Sequence, residues 1–200
     1  MRTKFLATMM IGALSVALAA PAGASEQRPP TIAAAVIAAS GTGGLDTNSN
    51  DYDILLKAVL ATKLDGALSD PAAKLTVFAP NDKAFIRTAR DLGYTGSSEQ
   101  GAWDFLVVAL TNLGHGDPIP VLKNILLYHV AAGRLSSSTV LHKSSVKTLL
   151  GERFKVDGIK LLDKDPDIRN PRLNLEALDM RAGAGVIHGI TRVLIPINIP

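Results

Sequence analysis

Apolar and polar positions along this chain fall into two textures. Up to about residue 130 the apolar residues recur at intervals of three and four, as along one face of a helix. Beyond it they come as short runs separated by Gly, Asp and Pro. The helical texture predicts a helix over Ile32–Ala39, broken by SGTGG, and a second capped by Asn50 or Asp51. That second helix carries Ile54, Leu55, Ala58, Val59 and Leu60 on its apolar face and ends near Lys63. Ser97-Ser98-Glu99-Gln100 reads as a capping box opening a helix over Glu99–Leu113, which Gly114-His115-Gly116 ends. Asp117-Pro118 opens the next, with proline where its missing N–H costs nothing. Ile119, Val121, Leu122, Ile125, Leu126 and Val130 make it apolar on much of its circumference, so burial is expected.

The strand texture predicts Ser145–Leu150, Arg153–Val156, Ile159–Leu162, Leu173–Ala177 and Val186–Ile195. Helices come first and strands later, so the predicted class is α+β. One stretch joins the two textures early. In LTVFAPNDKAF, Leu75 to Phe85, a β-rich run containing Thr76 and Phe78 is stopped by Pro80, which has no amide proton for a ladder. Asn81 then caps a helix through Arg90, with Ala84 and Phe85 pointing inward. Asp82 falls in its first turn, where the helix dipole favours a negative charge.

Composition changes this picture at the N-terminus. Arg2 and Lys4, an apolar run from Phe5 to Ala20, and Ala22-Gly23-Ala24 form the three-part pattern of a secretory signal peptide, cut after Ala24. A polar lead-in, residues 25–30, then precedes one domain over residues 31–196. The protein is accordingly expected to be secreted, periplasmic or extracellular, with no membrane span in the mature chain. The full chain has 21 Lys+Arg against 18 Asp+Glu, and the leader holds two of the basic residues and none of the acidic. Without it the net charge drops from +3 to +1, too small an excess for a nucleic-acid footprint. The absence of cysteine removes disulfides, thiolate metal sites and cysteine nucleophiles together.

Little catalytic chemistry is visible. His115, His129, His142 and His188 lack metal-ligand spacing, and His129 and His188 lie in apolar stretches where a hydrogen-bonded core histidine is expected. Asp163, Asp165 and Asp167 alternate as in a calcium loop, but Ile168 and Asn174 stand where Gly and Glu are needed. Asp46, Asn48 and Asn50 fail the same two positions. Both loops are read as solvated turns, no metal or cofactor is expected, and calcium is expected to leave the melting temperature unchanged. Serines occur without a G-x-S-x-G elbow, and SGTGG and RAGAG lack phosphate-loop spacing.

Three stretches together resemble the fasciclin-like domain family: LTVFAPNDKAF, ILLYHVAAG (Ile125 to Gly133) and GVIHGITRVLIP (Gly185 to Pro196). They stand in the order and spacing of its two homology blocks and central Tyr-His motif. DYDILLKAV and TLLGERFKV fit as well, and Asp91 to Asp117 resembles the longer insertion of bacterial members. Two positions depart from the second block, Ala184 before its Gly and Gly189 after its His.

The resemblance implies a wedge of two β-sheets with helices around it and no enzyme activity. It implies a role in cell adhesion, matrix or surface interaction, with a cell-surface or matrix component, protein or polysaccharide, as partner. Thr76, Phe78, Pro80, Asn81, Phe85 and His188 are its structural positions. Tyr128 and His129, with Leu126, Leu127 and Val130, map to a proposed receptor contact, although so apolar a helix end favours core packing. Asp179-Met180 maps to a second contact. The alternative function is a soluble carrier of an apolar ligand such as a carotenoid. A monomer or weak homo-oligomer is expected.

Overall fold

The structure is a computed structural model that describes residues 29–41 and 44–199. The expected leader and most of the lead-in lie outside the described residues. Along the chain come α1 (Ile32–Ala39), α2 (Asp53–Ala61), α3 (Asp65–Leu68), β1 (Leu75–Pro80), α4 (Asp82–Asp91), α5 (Glu99–Leu113) and α6 (Pro118–Tyr128). There follow β2 (Val130–Ala132), α7 (Ser137–Leu141), β3 (Ser145–Lys147), β4 (Arg153–Asp157), β5 (Lys160–Leu162), β6 (Met180–Ala182) and β7 (Gly185–Ile190).

The strands form two sheets, so the fold is α+β as the textures predict. One has the order β2-β1-β7-β6 and the other the order β3-β4-β5. β1 and β7 run parallel, with Thr76 opposite Val186 and Pro80 opposite Ile190; the other pairs are antiparallel. All of β7 and all of β1 except Leu75 are buried, which is why these runs are apolar almost throughout instead of alternating. Val77, Ala79 and Ile187 pack with the apolar sides of α1, α2 and α6. Phe78 faces the opposite way. Its ring meets Phe154 of the second sheet edge-on at 5.1 Å, and Tyr128 meets the same ring edge-on at 6.0 Å, a favourable pairing for aromatic quadrupoles.

Several predicted elements are altered by contacts distant in sequence. Leu173–Ala177 is not a strand: Leu173 makes one isolated bridge to Ile190, and the Ala177 N–H turns back to the Asn174 carbonyl. The predicted strand over Val186–Ile195 ends at Ile190. β2 and β6, only three residues each, escape a pattern search and are fixed by pairing to β1 and β7. Ile119 is exposed because it faces away from the core at the start of α6.

The helix caps show the same effect. Neither Asn50 nor Asp51 caps α2; Tyr52 occupies the cap position without a side-chain bond. The amides of Asp53 and Ile54 instead donate to the two carboxylate oxygens of Asp82, at 3.0 and 2.8 Å. In exchange, Asp82 and Lys83 donate their amides to the Asp51 and Ser49 carbonyls. Ser98, not Ser97, caps α5 by accepting from Gly101, and no capping box closes: Gln100 donates to Asp104 at 2.7 Å, while Glu99 reaches across to accept the Asp46 amide at 2.8 Å. The Asp163–Asp167 loop is not a solvated turn either. Asp165 is buried and accepts the amides of Asp167, Ile168 and Ile199.

Gly189 has a steric reason. Its amide donates to the Ala177 carbonyl at 2.6 Å, and a Cβ there would stand 2.7 Å from the Ala177 Cβ. The departure from the motif accommodates the 174–177 turn.

Candidate functional site

The Tyr-His motif lies at the end of α6 and inside the core. Tyr128 is fully buried and donates its hydroxyl to the Arg153 carbonyl at 3.1 Å. Burial, with the negative charges of Asp163 and Glu152 adding, holds its phenol well above the usual range. His129 caps the helix. Its Nε2 faces the Leu194 N–H, an obligate donor, at 2.9 Å and therefore accepts; Nδ1–H then donates to the Ile125 carbonyl at 2.7 Å. The ring is neutral, and burial depresses its pKa to about 4 against the weaker opposing pull of the Ile125 bond. Neither side chain is presented to solvent, so the pair named for a receptor contact sits as a core brace.

Asp179 stands at the opposite extreme. It is exposed, in the left-handed backbone region at φ 55°, immediately before the edge strand β6. Three bonds hold it there. Its amide donates to Nδ1 of buried His188 at 3.1 Å, and its carboxylate accepts from the Ser137 amide at 2.9 Å and from the Ser137 hydroxyl. The two Ser137 bonds keep the carboxyl below the usual range, helped by the field of His188 and Arg134. His188 donates its other ring nitrogen to the Leu135 carbonyl at 2.8 Å. Met180 follows, half-buried and paired with Ile187, and Arg181 beside it is exposed.

Ser, His and Asp thus meet at one sheet edge without forming a nucleophilic relay. Ser137 bonds the carboxylate directly, and both His188 ring nitrogens are taken up by backbone groups, so no imidazole stands between the hydroxyl and the carboxylate. The remaining motif residues are structural. Thr76 donates its hydroxyl to the Gly133 carbonyl and accepts the Leu135 amide, fixing the chain between β2 and α7. Asn81 accepts the Ala84 amide at 3.0 Å, Pro80 ends β1, and Phe85 is buried under the helices.

The family profile of the fasciclin domain matches residues 50–196. The chain belongs to the fasciclin domain family. Domains of this family commonly serve in adhesion and are generally non-enzymatic. This fasciclin domain is 27% identical over 144 residues to the uncharacterized protein sll1735 of the cyanobacterium Synechocystis, an alignment covering 72% of this chain and 89% of that one. Its fold is similar to that of a FAS1 domain pair from the insect cell adhesion molecule fasciclin I, with a TM-score of 0.54 at 15% identity. The match covers 83% of this chain and 51% of that one, so the chain spans about half the length of the solved pair.

Apolar hollows open on this fasciclin domain among the described residues, two of them between helices. One, about 580 Å³ with its open mouth, lies between α1–α3 and β1 and is aliphatic apart from Phe78 and His129. The other, about 520 Å³, lies among α4, α5, α6 and the C-terminal segment. The residues that brace the Asp179 turn, Leu135 and Ser137, carry no motif of their own; the sequence signal near them is the serine run Ser136 to Ser138 that caps and opens α7.

Proposed function

We propose that this fasciclin domain acts outside the cytoplasm as a non-catalytic recognition module. It binds a cell-surface or matrix component, protein or polysaccharide, through the Asp179–Met180 turn and the edge strand it opens. The observation that carries this reading is the bracing of an exposed turn by Ser137 and His188, because a preorganised surface loses little entropy on binding. The leader-like N-terminus supports export.

The test is retention of the protein on envelope and matrix fractions of the source cell. Asp179→Gly keeps the left-handed backbone and removes the carboxylate, and Met180→Gln polarises the adjoining contact. Both should lose retention while melting within a few degrees of wild type. Retention equal to wild type in both variants overturns the reading. A second reading, a carrier of an apolar ligand, is favoured by the aliphatic lining of the hollow beside α1, since ligand sites are lined predominantly by apolar side chains. It predicts an extractable apolar compound, or an absorbance band, in protein purified from its own source.

A further inference from the structure

Four buried carboxylates converge beneath the loop that precedes α2. Asp51 comes from the loop, Asp53 from the start of α2, Asp82 from α4 and Glu99 from α5, and the exposed Asp46 joins them from the solvent side. Oxygens of Asp51, Asp53 and Asp82 lie within 4.8 Å of one another, and so do oxygens of Asp46, Asp51 and Glu99. Crowding alone would carry no weight, but the bonding pattern does. Asp53 is only 3% exposed and neither of its carboxylate oxygens has a hydrogen-bond partner. Asp51 Oδ1 and Glu99 Oε1 are buried and unpartnered as well. Unmatched buried carboxylate oxygens are costly, and several at one point need a shared positive partner.

No side chain among the described residues supplies one. Among the described residues, none of the ion pairs involves these five side chains. Lys57, one turn beyond Asp53, lies over the Trp103 ring at 5.0 Å. Asp91 shows the contrast, since it is held by Arg192 at 2.6 Å.

We propose that Asp51, Asp53, Asp82 and Glu99, completed by Asp46, bind a hard divalent cation of the calcium class. The ligands are all oxygen, as such an ion requires. Calcium takes about 6 to 8 oxygens at roughly 2.3 to 2.6 Å in flexible geometry, so its ligand oxygens lie up to about 5 Å apart, a spread that each of the two triads meeting at Asp51 satisfies. Magnesium demands a tighter octahedron and holds its waters. Both oxygens of Asp82 already accept amides, yet each keeps a lone pair for a metal. The way in lies past Asp46 and along a hollow bounded by Gly44, Leu45, Asp53, Lys57 and Gln100. Neither acidic loop weighed from the sequence is this site. It draws one residue from the first loop and the rest from three helices and the chain just before them.

Bound calcium would tie α2, α4 and α5 at one point. The experiment is thermal unfolding of chelator-treated protein near neutral pH, with and without about 2 mM calcium, in the affinity range of extracellular calcium modules. The expected result is a rise of about 3 to 6 °C, lost in Asp53→Asn and in Glu99→Gln and kept in Asp157→Asn, an exposed carboxylate elsewhere. Terbium luminescence on the wild type, sensitised by the adjacent Tyr52 and displaced by calcium, tests the site without depending on any variant. The proposal is overturned if wild type shows neither shift nor terbium signal, if Asp53→Asn and Glu99→Gln respond as wild type does, or if magnesium stabilises and calcium does not. The recognition assay is separate, so either idea fails alone.

Discussion

The Nε2 of His129 accepts the backbone N–H of Leu194 at 2.9 Å, across 65 residues of sequence. The amides on either side are held the same way. Val193 donates to the Thr88 hydroxyl at 2.9 Å and Ile195 to the Asp163 carboxylate at 2.8 Å. Three consecutive amides of an apolar run are therefore satisfied by side chains from three different places in the chain. A strand partner is unnecessary there, which is why β7 ends early while the buried run continues.

His129→Ala leaves the Leu194 amide and the Ile125 carbonyl buried and unpaired, so it should cost about 2 to 4 kcal/mol in denaturant unfolding. Full stability with lost adhesion would make the ring an exposed contact instead. The cost should also depend on pH. Because the folded pKa, about 4, lies below the ordinary 6.5, the contribution is complete above about 6.5 and is lost as pH falls toward 4. The wild-type advantage over the variant should shrink by about 3 kcal/mol across that window. Asp163, raised to about 6 by burial, has the opposite sign but is present in both proteins and cancels.

Phe78 joins the two sheets. Phe78→Ala should cost about 3 to 5 kcal/mol, a large part of the roughly 5 to 15 kcal/mol of a domain. Leu175→Ala, at a side chain 65% exposed, should change the denaturation midpoint hardly at all.

Gly189→Ala should destabilise by about 1 to 3 kcal/mol through the contact with Ala177. Ala177→Gly in the same molecule should recover most of that loss. A double-mutant cycle that showed simple additivity would remove the steric explanation.

Asp82→Ala orphans the first two amides of α2, and a loss of about 1 to 3 kcal/mol is expected. Hydrogen exchange should quicken at Asp53 and Ile54 before it does in the body of α4. Quickening first in the body of α4 would mean that Asp82 braces its own helix only.

The sequence by itself determined the α+β class, the apolar faces of the helices, the Asn81, Ser98 and Asp117 caps and the family motifs. All of these rest on periodicity or on contacts within four residues. Tertiary structure alone decided where Asp82, Glu99 and Asp165 point. Each sits where a local rule gives a sufficient role, near a helix start or in a polar loop, yet each carboxylate bonds a segment brought to it by the fold. Short strands were likewise set by their partners, since three residues hold no periodicity to read. The burial of Tyr128 and His129, against the exposure of Asp179, followed from which face of a sheet each element covers. A hydrophobic pattern says that a residue is inside or outside; only packing brings carboxylates from separate elements into two triads that share Asp51 and leaves both Asp53 oxygens, with one each of Asp51 and Glu99, without partners.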